Sequence, residues 1–124
     1  MNAATGVPDW VRELYRLVDE AAVDDYLERY YTEDVELRFG SAPAVHGRVA
    51  VREALAAGHD RHAMKHTFVN VWTAGDETIC EFRVRYTMRA DGRVVELPSL
   101  AILRRAQDGL VDGLRVYIDP TPLG

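Results

Sequence analysis

The sequence predicts an α+β fold in which a conical, curved mixed β-sheet wraps around three N-terminal helices and encloses an apolar pocket. From Met64 to Pro120, four long stretches alternate apolar and polar residues, which is the period of half-buried strands. Strands of this length in a small protein must curl, and a curled sheet forms a cup. Glycine and aspartate at the turns supply the conformations that chain reversals need. The three predicted turns are Ala74-Gly75-Asp76, Ala90-Asp91-Gly92 and Gln107-Asp108-Gly109.

The first half of the chain has apolar residues at helical spacing and no internal repeat. Pro8 and Asp9 suit the first turn of a helix that runs to about Ala21. Asp24 is a suitable cap for a second, short helix, which the segment Thr32-Glu33-Asp34 ends. The apolar sides of these two helices consist of Val11, Leu14, Val18 and Ala22, and of Leu27, Tyr30 and Tyr31.

A strand is predicted from Val35 to Phe39, followed by a turn, a short strand from Ala44 to His46 and a third helix. That helix runs from Arg48 to Ala57, and Gly58 suits the residue after its end. In the four predicted strands between Met64 and Pro120, here called the meander, the apolar side chains lie on one face and the polar side chains on the other. Helices must cover the apolar face, because it is too large to be exposed to water. The inward sets are Val35, Leu37 and Phe39; Phe82, Val84, Tyr86 and Met88; and Leu114, Val116 and Ile118.

Length and composition narrow the function classes. The 124 residues fit one domain, with Met1 to Val7 expected to be flexible. A net charge of −5 argues against a nucleic-acid partner, since such binding rests on clustered Lys and Arg. The single cysteine, Cys80, excludes an intrachain disulfide and reads as a packed thiol. With no signal peptide and no apolar run of eighteen residues, we expect a cytoplasmic protein without a membrane partner.

His66, at the entrance of the meander, is the main candidate for chemistry. An imidazole near neutral pH can give or take a proton, and desolvation in an apolar cup would favour the neutral base. The alternative is a half-buried strand histidine with a structural hydrogen bond. His62 shares the inward face if the strand begins early, and is otherwise a loop residue. Glu96 is a possible acid or base if it points inward, although Pro98 suggests a bulge or edge that would turn it outward.

Tyrosines and further histidines are weaker candidates for a role in the predicted pocket. One or two phenols, with Tyr30 and Tyr86 the best placed, could hydrogen-bond a carbonyl oxygen in the pocket. A metal site built from His59, His62 and His66 is not expected, because their spacing does not bring three ligands onto one face. No phosphate loop, dinucleotide fingerprint or nucleophile elbow occurs, so no cofactor is expected.

The order of elements resembles the SnoaL-like branch of the nuclear transport factor 2-like superfamily over about residues 10 to 123. The similar segments are Tyr31-Thr32-Glu33-Asp34-Val35, Gly47-Arg48 and the ending Leu114-Arg115-Val116-Tyr117-Ile118-Asp119-Pro120. This resemblance implies a cystatin-like α+β barrel that is commonly dimeric. Its members include polyketide cyclases, ketosteroid isomerases, limonene epoxide hydrolases, scytalone dehydratases and binders without activity, so the fold leaves function open.

The catalytic positions of these relatives are mostly apolar in this chain. The base of ketosteroid isomerases matches Phe39, and the penultimate strand offers no acid partner. The three catalytic positions of epoxide hydrolases match Phe82, Val84 and Val116. A register shift of one residue would turn Arg83 and Arg85 inward without supplying a carboxylate. Scytalone dehydratases have a histidine at the position of His66, whereas their second histidine matches near Met88. The aspartate of SnoaL-type cyclases has no inward equivalent, because Asp119 ends the last strand or faces outward.

Two functions therefore remain open for one predicted pocket. In the first, the protein is a cofactor-free isomerase, cyclase or dehydratase that uses His66 as acid or base, supported by Tyr30 or Glu96. In the second, it binds or carries a small hydrophobic molecule without converting it. The outer sheet face, with Trp72, Arg83, Arg85 and Tyr117, is expected to form a homodimer or another protein interface. The expected ligand-binding residues are Leu14, Val18, Leu37, Phe39, His62, Phe82, Val84, Tyr86, Leu100, Val116 and Ile118.

Overall fold

The computed structural model describes residues 6–124 as three helices packed against one six-stranded sheet. The N-terminal half contains helices α1 and α2, strands β1 and β2, and helix α3, and the C-terminal half contains the four-strand meander β3 to β6. The bounds are α1 Asp9–Asp19, α2 Val23–Tyr30, β1 Tyr31–Phe39, β2 Val45–His46, α3 Arg48–Arg61, β3 His62–Ala74, β4 Glu77–Met88, β5 Val94–Arg105 and β6 Val111–Tyr117, followed by a 3₁₀ turn at Thr121–Leu123.

The sheet is mixed, curved and not closed into a barrel, with the strand order β2-β1-β6-β5-β4-β3. All neighbouring strands are antiparallel except β1 and β6, which run parallel. β3 therefore forms one edge of the sheet. A break in register between Phe68 and Asn70 lets β3 follow the bend of β4.

The core lies between the helices and the concave face of the sheet. Val11 and Leu14 of α1 and Leu27 of α2 pack there against Val35, Leu37, Val84 and Leu103, which alternate along their strands. This arrangement follows from the apolar faces that the sequence predicts for both halves. No helix in residues 6–124 is long and apolar enough to span a membrane.

Three boundaries differ from the sequence prediction. α3 does not end before Gly58 but continues to Arg61, because His59 on its last turn is buried against Tyr26 and holds the helix in place. α2 ends as expected, but the segment after it is already strand, since β1 begins at Tyr31. The flexible segment was predicted to reach Val7, yet Val7 is buried in the core. The rest of that prediction, residues 1–5, lies outside the described residues.

Candidate active site

A cavity of about 650 Å³ lies between the helices and the concave face of the sheet. Its floor is aromatic, with the buried rings of Tyr26, Tyr31 and Phe82. Its mouth is formed by lining residues that are also exposed: Phe39 at the end of β1, Arg61 at the end of α3, and Pro120, Thr121 and Gly124. A cavity of this size and character suits a small, mostly apolar molecule.

His66 on β3 lies on the cavity wall and is bound by Asp19, the last residue of α1. The Nδ1 atom of His66 lies 2.6 Å from Asp19 Oδ1, and both side chains are at least 86% buried, with 10% and 14% exposure. The backbone N–H of His66 also donates to this carboxylate, at 3.0 Å to Oδ2 and 3.2 Å to Oδ1. Because β3 is an edge strand, this N–H faces away from the sheet, and Asp19 supplies the partner that a further strand would otherwise provide.

The His66 ring packs against two aromatic rings that also contact each other, with 4.6 Å between the centroids of Tyr15 and Phe82. Its centroid is 4.9 Å from that of Tyr15 on α1 and 4.9 Å from that of Phe82 on β4. The contacts with these two rings and the hydrogen bond to Asp19 fix the orientation of the imidazole. The ring is thus oriented before any ligand enters the cavity, which is what efficient proton transfer requires.

The Asp19–His66 pair also determines which ring nitrogen can react. A carboxylate accepts hydrogen bonds, so in the neutral imidazole the proton lies on Nδ1 and the lone pair on Nε2. Nε2 is then the basic atom available to a molecule in the cavity. After Nε2 takes a proton, the Asp19 carboxylate stabilises the imidazolium that forms.

Further polar groups line the same cavity. The Tyr26 hydroxyl and His59 Nε2 are 2.9 Å apart, and the His62 ring meets Tyr86 edge-on with centroids 4.8 Å apart. Burial lowers the pKa of His59 and of His62. Burial raises the pKa of the Tyr86 phenol to about 12. These three groups are therefore neutral near pH 7.

The structure places eight of the predicted binding and catalytic residues on the cavity wall: Val18, Phe39, His62, His66, Phe82, Tyr86, Val116 and Ile118. Leu14, Leu37 and Val84 were expected there but belong to the packed core, with at most 1% exposure, and do not line the cavity. Leu100 was predicted on the wrong face of β5. Its neighbours Ser99 and Ala101 line the cavity, and Leu100 lies on the outer side beside Tyr117.

The proposed supporting roles of Glu96 and Tyr30 are wrong. Glu96 lies on the outer face, where Arg83 donates to it at 2.8 Å and thereby lowers its pKa. β5 is paired with β6 only from Leu100 onward, so Pro98 occupies a free edge without turning Glu96 inward. Tyr30 does not line the cavity and its ring stacks under Arg29. Tyr26, one helical turn earlier, lies on the cavity floor instead.

Asp19 is the residue of the candidate site that the sequence analysis missed. Its position, four residues after Tyr15, places it on the inward side of α1, which is the one signal that could have identified it. A carboxylate in the last turn of a helix is disfavoured by the helix dipole and, here, also by burial. It is held in place by the backbone and ring of His66, a partner 47 residues away in sequence.

The structure also locates the residues that match catalytic positions of the SnoaL-like relatives. Phe82, not Arg83, faces the cavity, so the shifted register does not occur. Asp119 lies beyond the end of β6 and accepts the backbone N–H of Thr121 at 3.0 Å. His62 pairs directly with Met88 across β3 and β4. An imidazole therefore stands beside the position at which the resemblance placed a second histidine.

Neither a metal site nor a reactive thiol is found in the part of the chain that the structure describes. Within residues 6–124 no three His, Cys, Asp or Glu side chains are arranged to hold a metal ion. Cys80 is fully buried, and burial raises the pKa of its thiol to about 12. It is packed as a small apolar residue.

Comparisons with known proteins agree with this architecture. The model of the SnoaL-like domain matches residues 11–113. No curated protein matches the chain in a sequence comparison. A provisionally assigned polyketide cyclase from Xanthomonas campestris pv. campestris has a similar structure, with a TM-score of 0.83 and 21% identity over 99% of this chain and 96% of that chain.

Two further structures are similar at lower identity. One is an epoxide hydrolase from M. tuberculosis that resembles limonene epoxide hydrolase, with a TM-score of 0.75 and 12% identity over 90% of this chain and 81% of that chain. The other, from Catenulispora acidiphila DSM 44928, has a ketosteroid isomerase-like fold and was solved with trimethylamine. Its TM-score is 0.75 at 14% identity, over 90% of this chain and 85% of that chain. At these identities the similarity shows a common fold.

Proposed function

The chain belongs to the SnoaL-like domain family, and from this we propose that it is an enzyme that catalyses proton transfer on a small apolar carbonyl compound bound in its cavity. The observation that carries the proposal is the oriented Asp19–His66 pair, whose imidazole lies on the wall of a mostly apolar cavity. Family membership alone would not distinguish an enzyme from a binder, because the fold hosts both.

The first step follows from the tautomer that Asp19 imposes. His66 Nε2 removes a proton from the carbon next to the carbonyl group, and the electron pair of the broken C–H bond moves into the enolate. The imidazolium that forms is stabilised by the Asp19 carboxylate. Isomerisation, cyclisation and dehydration of carbonyl compounds can all begin with this step, so the site supports the reaction class without selecting one member.

Tyr86 is suited to stabilise the enolate oxygen. Val84 is the direct partner of His66 across β3 and β4, which makes Tyr86 its diagonal neighbour, about 7–8 Å away. Both side chains line the cavity, so a carbonyl compound bound there can contact the imidazole and the phenol together. The raised pKa of Tyr86 keeps its phenol protonated, so that the hydroxyl donates a hydrogen bond to the negative charge developing on the enolate oxygen.

The exchange of carbon-bound hydrogen for deuterium tests this proposal without knowledge of the natural substrate. We expect the protein to accelerate deuterium uptake by 2-tetralone in D₂O, followed by proton NMR. His66→Gln should lower the catalysed rate by about 10²- to 10⁴-fold, because it removes the base. Asp19→Asn should lower it less, because it retains the imidazole but loses the carboxylate that fixes the tautomer. His46→Gln is the matched control, since His46 lies outside the cavity and its side chain is 69% exposed.

A second candidate function is binding or transport without conversion. The observation that favours it is that Phe39, Phe82 and Val116, which match catalytic positions of the relatives, are apolar and lie on the cavity wall. If 2-tetralone binds saturably but exchanges no faster with the wild type than with His66→Gln, the protein is a binder and the proton-transfer proposal is wrong.

We also propose that the outer face of the sheet forms a homodimer. Across β3, β4 and β5 the side chains of Trp72, Ile79 and Ile102 are direct neighbours on this face, and Leu100 and Tyr117 continue the apolar surface toward β6. Trp72 and Tyr117 are 47% and 44% exposed. A continuous apolar strip of this kind is typical of an interface rather than of a solvated surface.

A further inference from the structure

Arg61 is the one side chain with a permanent charge among the cavity-lining residues that the structure describes. It is the last residue of α3 and is exposed at the mouth, next to His62 at the start of β3. The rest of the wall consists of apolar side chains, phenols, histidines and small residues. A ligand that fills the cavity therefore meets one cation at the entrance.

In the part of the chain that the structure describes, this cation has no acidic side-chain partner. Several arginines elsewhere are paired with carboxylates, such as Arg52 with Asp24 at 2.5 Å and Arg115 with Glu77 at 2.6 Å, whereas Arg89 and Arg105 donate to backbone carbonyls. Within residues 6–124, the Arg61 guanidinium makes neither an ion pair nor a hydrogen bond. In a chain with a net charge of −5, an unpaired arginine at a cavity mouth is available to an anionic ligand.

A second positive charge lies at the same end of the cavity. Arg89 donates from Nε to the backbone carbonyl of His59 at 2.7 Å, in the last turn of α3. After burial, the charges of Arg61 and Arg89 are further causes of the lowered pKa of His62. The guanidinium of Arg61 is thus close enough for its charge to be felt at the cavity wall.

We propose that the substrate carries a carboxylate, which Arg61 binds at the mouth while His66 acts on the apolar part inside. The inference rests on the proposed function and names the class of its substrate: a small apolar carboxylic acid. One guanidinium matches the two oxygens of a carboxylate. A phosphate dianion fits less well, because the dipole at the C-terminus of α3 disfavours negative charge and opposes a double charge more than the single charge of a carboxylate.

The spacing along β3 limits the length of this substrate. Arg61 precedes His66 by five positions, which corresponds to at most about 16 Å between Cα atoms if the chain is fully extended. The long arginine side chain shortens this span, so the carboxylate and the reacting carbon are on the order of 10 Å apart. An open chain, or a fused two-ring compound whose carboxylate is carried on a short side chain, bridges that distance.

Two probes of equal size test the charge preference. Naphthalene-2-carboxylate and its neutral analogue naphthalene-2-carboxamide are titrated into the protein in a calorimeter at low and high salt. We expect the carboxylate to bind about three- to tenfold more tightly at low salt, as for a partly exposed ion pair, and the preference to shrink with salt. Arg61→Gln should remove the preference without changing carboxamide binding. Arg38→Gln is the matched control, because Arg38 is exposed on β1 outside the cavity.

The outcomes separate this inference from the function on which it rests. Equal binding of both probes by the wild type, or a preference that survives in Arg61→Gln, overturns the carboxylate assignment and leaves the proton-transfer proposal intact. Failure of both probes to bind contradicts the ligand cavity itself and therefore both proposals. A preference lost equally in Arg38→Gln would mean a general effect of net charge, which also overturns the role of Arg61.

Discussion

At the scale of single residues, each polar side chain that is buried around the cavity needs a hydrogen-bond partner to offset the loss of water. Asp19 is a mostly buried carboxylate at the wrong end of a helix, and it receives hydrogen bonds from two donors of His66. His59 is instead buried as a neutral ring with the Tyr26 hydroxyl as its partner. In both cases the buried polar group has a hydrogen-bond partner within the protein, and the cavity floor itself is formed by aromatic rings, which suits apolar ligands.

The buried His59 makes folding stability depend on pH. Its pKa is lower in the folded protein than the ordinary value of 6.5. Just below pH 6.5 the unfolded chain therefore takes up a proton that the folded chain does not, and the free energy of unfolding falls as the pH falls. We expect urea unfolding to show a decrease in stability from pH 7.5 to 5.5 that is smaller in His59→Gln, because glutamine does not titrate.

His46→Gln serves as the control for this measurement, because the exposed His46 ring contacts only Glu36 at 3.4 Å. Its pH dependence should match that of the wild type over the same window. An identical loss of stability in the wild type and in His59→Gln would show that His59 does not contribute. His62, whose pKa is also lowered, should account for part of the loss that remains in His59→Gln.

The sequence predicted single residues well where one face of an element is apolar and the other polar. Phe82 and Tyr86 were placed correctly because β4 alternates strictly. β5 carries apolar residues on both faces in its second half, so hydrophobicity could not show that Ser99 and not Leu100 faces the cavity. Asp19 could not be identified because its partner depends on how α1 crosses the sheet edge.

At the scale of elements, the turn after α1 positions Asp19. Ala21 adopts the left-handed conformation, with φ of 57°, and is the one residue other than glycine in 6–124 with a positive φ. The following backbone N–H, of Ala22, returns to the carbonyl of Leu17 at 3.0 Å, which closes the helix. An alanine in this conformation is strained, and the strain lies two residues from the proposed catalytic pair.

Replacing Ala21 by glycine should relieve this strain. The left-handed conformation costs an L-residue about 1–2 kcal/mol, and the greater freedom of glycine in the unfolded chain offsets about 0.5–1 kcal/mol of the gain. We expect Ala21→Gly to raise the free energy of unfolding by roughly 0.5 kcal/mol in urea titrations. Ala22→Gly, at a residue with φ of −83°, should give no gain. Loss of stability in Ala21→Gly would show that the alanine methyl group contributes more than the strain removes.

The type and order of all helices and strands were predictable from periodicity and turn residues, whereas some boundaries were not. Gly58 marks a plausible helix end in the sequence, but the helix continues because His59 gains a buried partner. A local signal of about 1 kcal/mol is easily overridden by such a tertiary contact. The start of β1 was missed for a similar reason. Its first residues include the polar segment Thr32-Glu33-Asp34, which the sequence indicates only as a helix end, and pairing with β6 makes this segment part of the strand.

At the scale of the whole molecule, the proposed homodimer depends on the apolar strip of the outer face. Ile102 lies within it, between Ile79 and Arg115 in the neighbouring strands. We expect light scattering coupled to size-exclusion chromatography to give twice the chain mass for the wild type. Ile102→Arg should give the mass of one chain, because it places a charge in the strip. Val49→Arg should remain dimeric, since Val49 is 77% exposed on α3, away from this face. A wild type that is monomeric at high micromolar concentration contradicts the dimer.

The position of β6 affects how the chain folds while it is being made. β6 is the last strand along the chain, yet it lies between β1 and β5 in the sheet. Until residues 111–117 leave the ribosome, the sheet of the nascent chain can form only as two unconnected parts, β1 with β2 and the meander β3 to β5. Their open edges and inner faces are exposed to other chains during that interval. Protection of the unfinished sheet, for example by a chaperone, is therefore most needed just before synthesis reaches Val111.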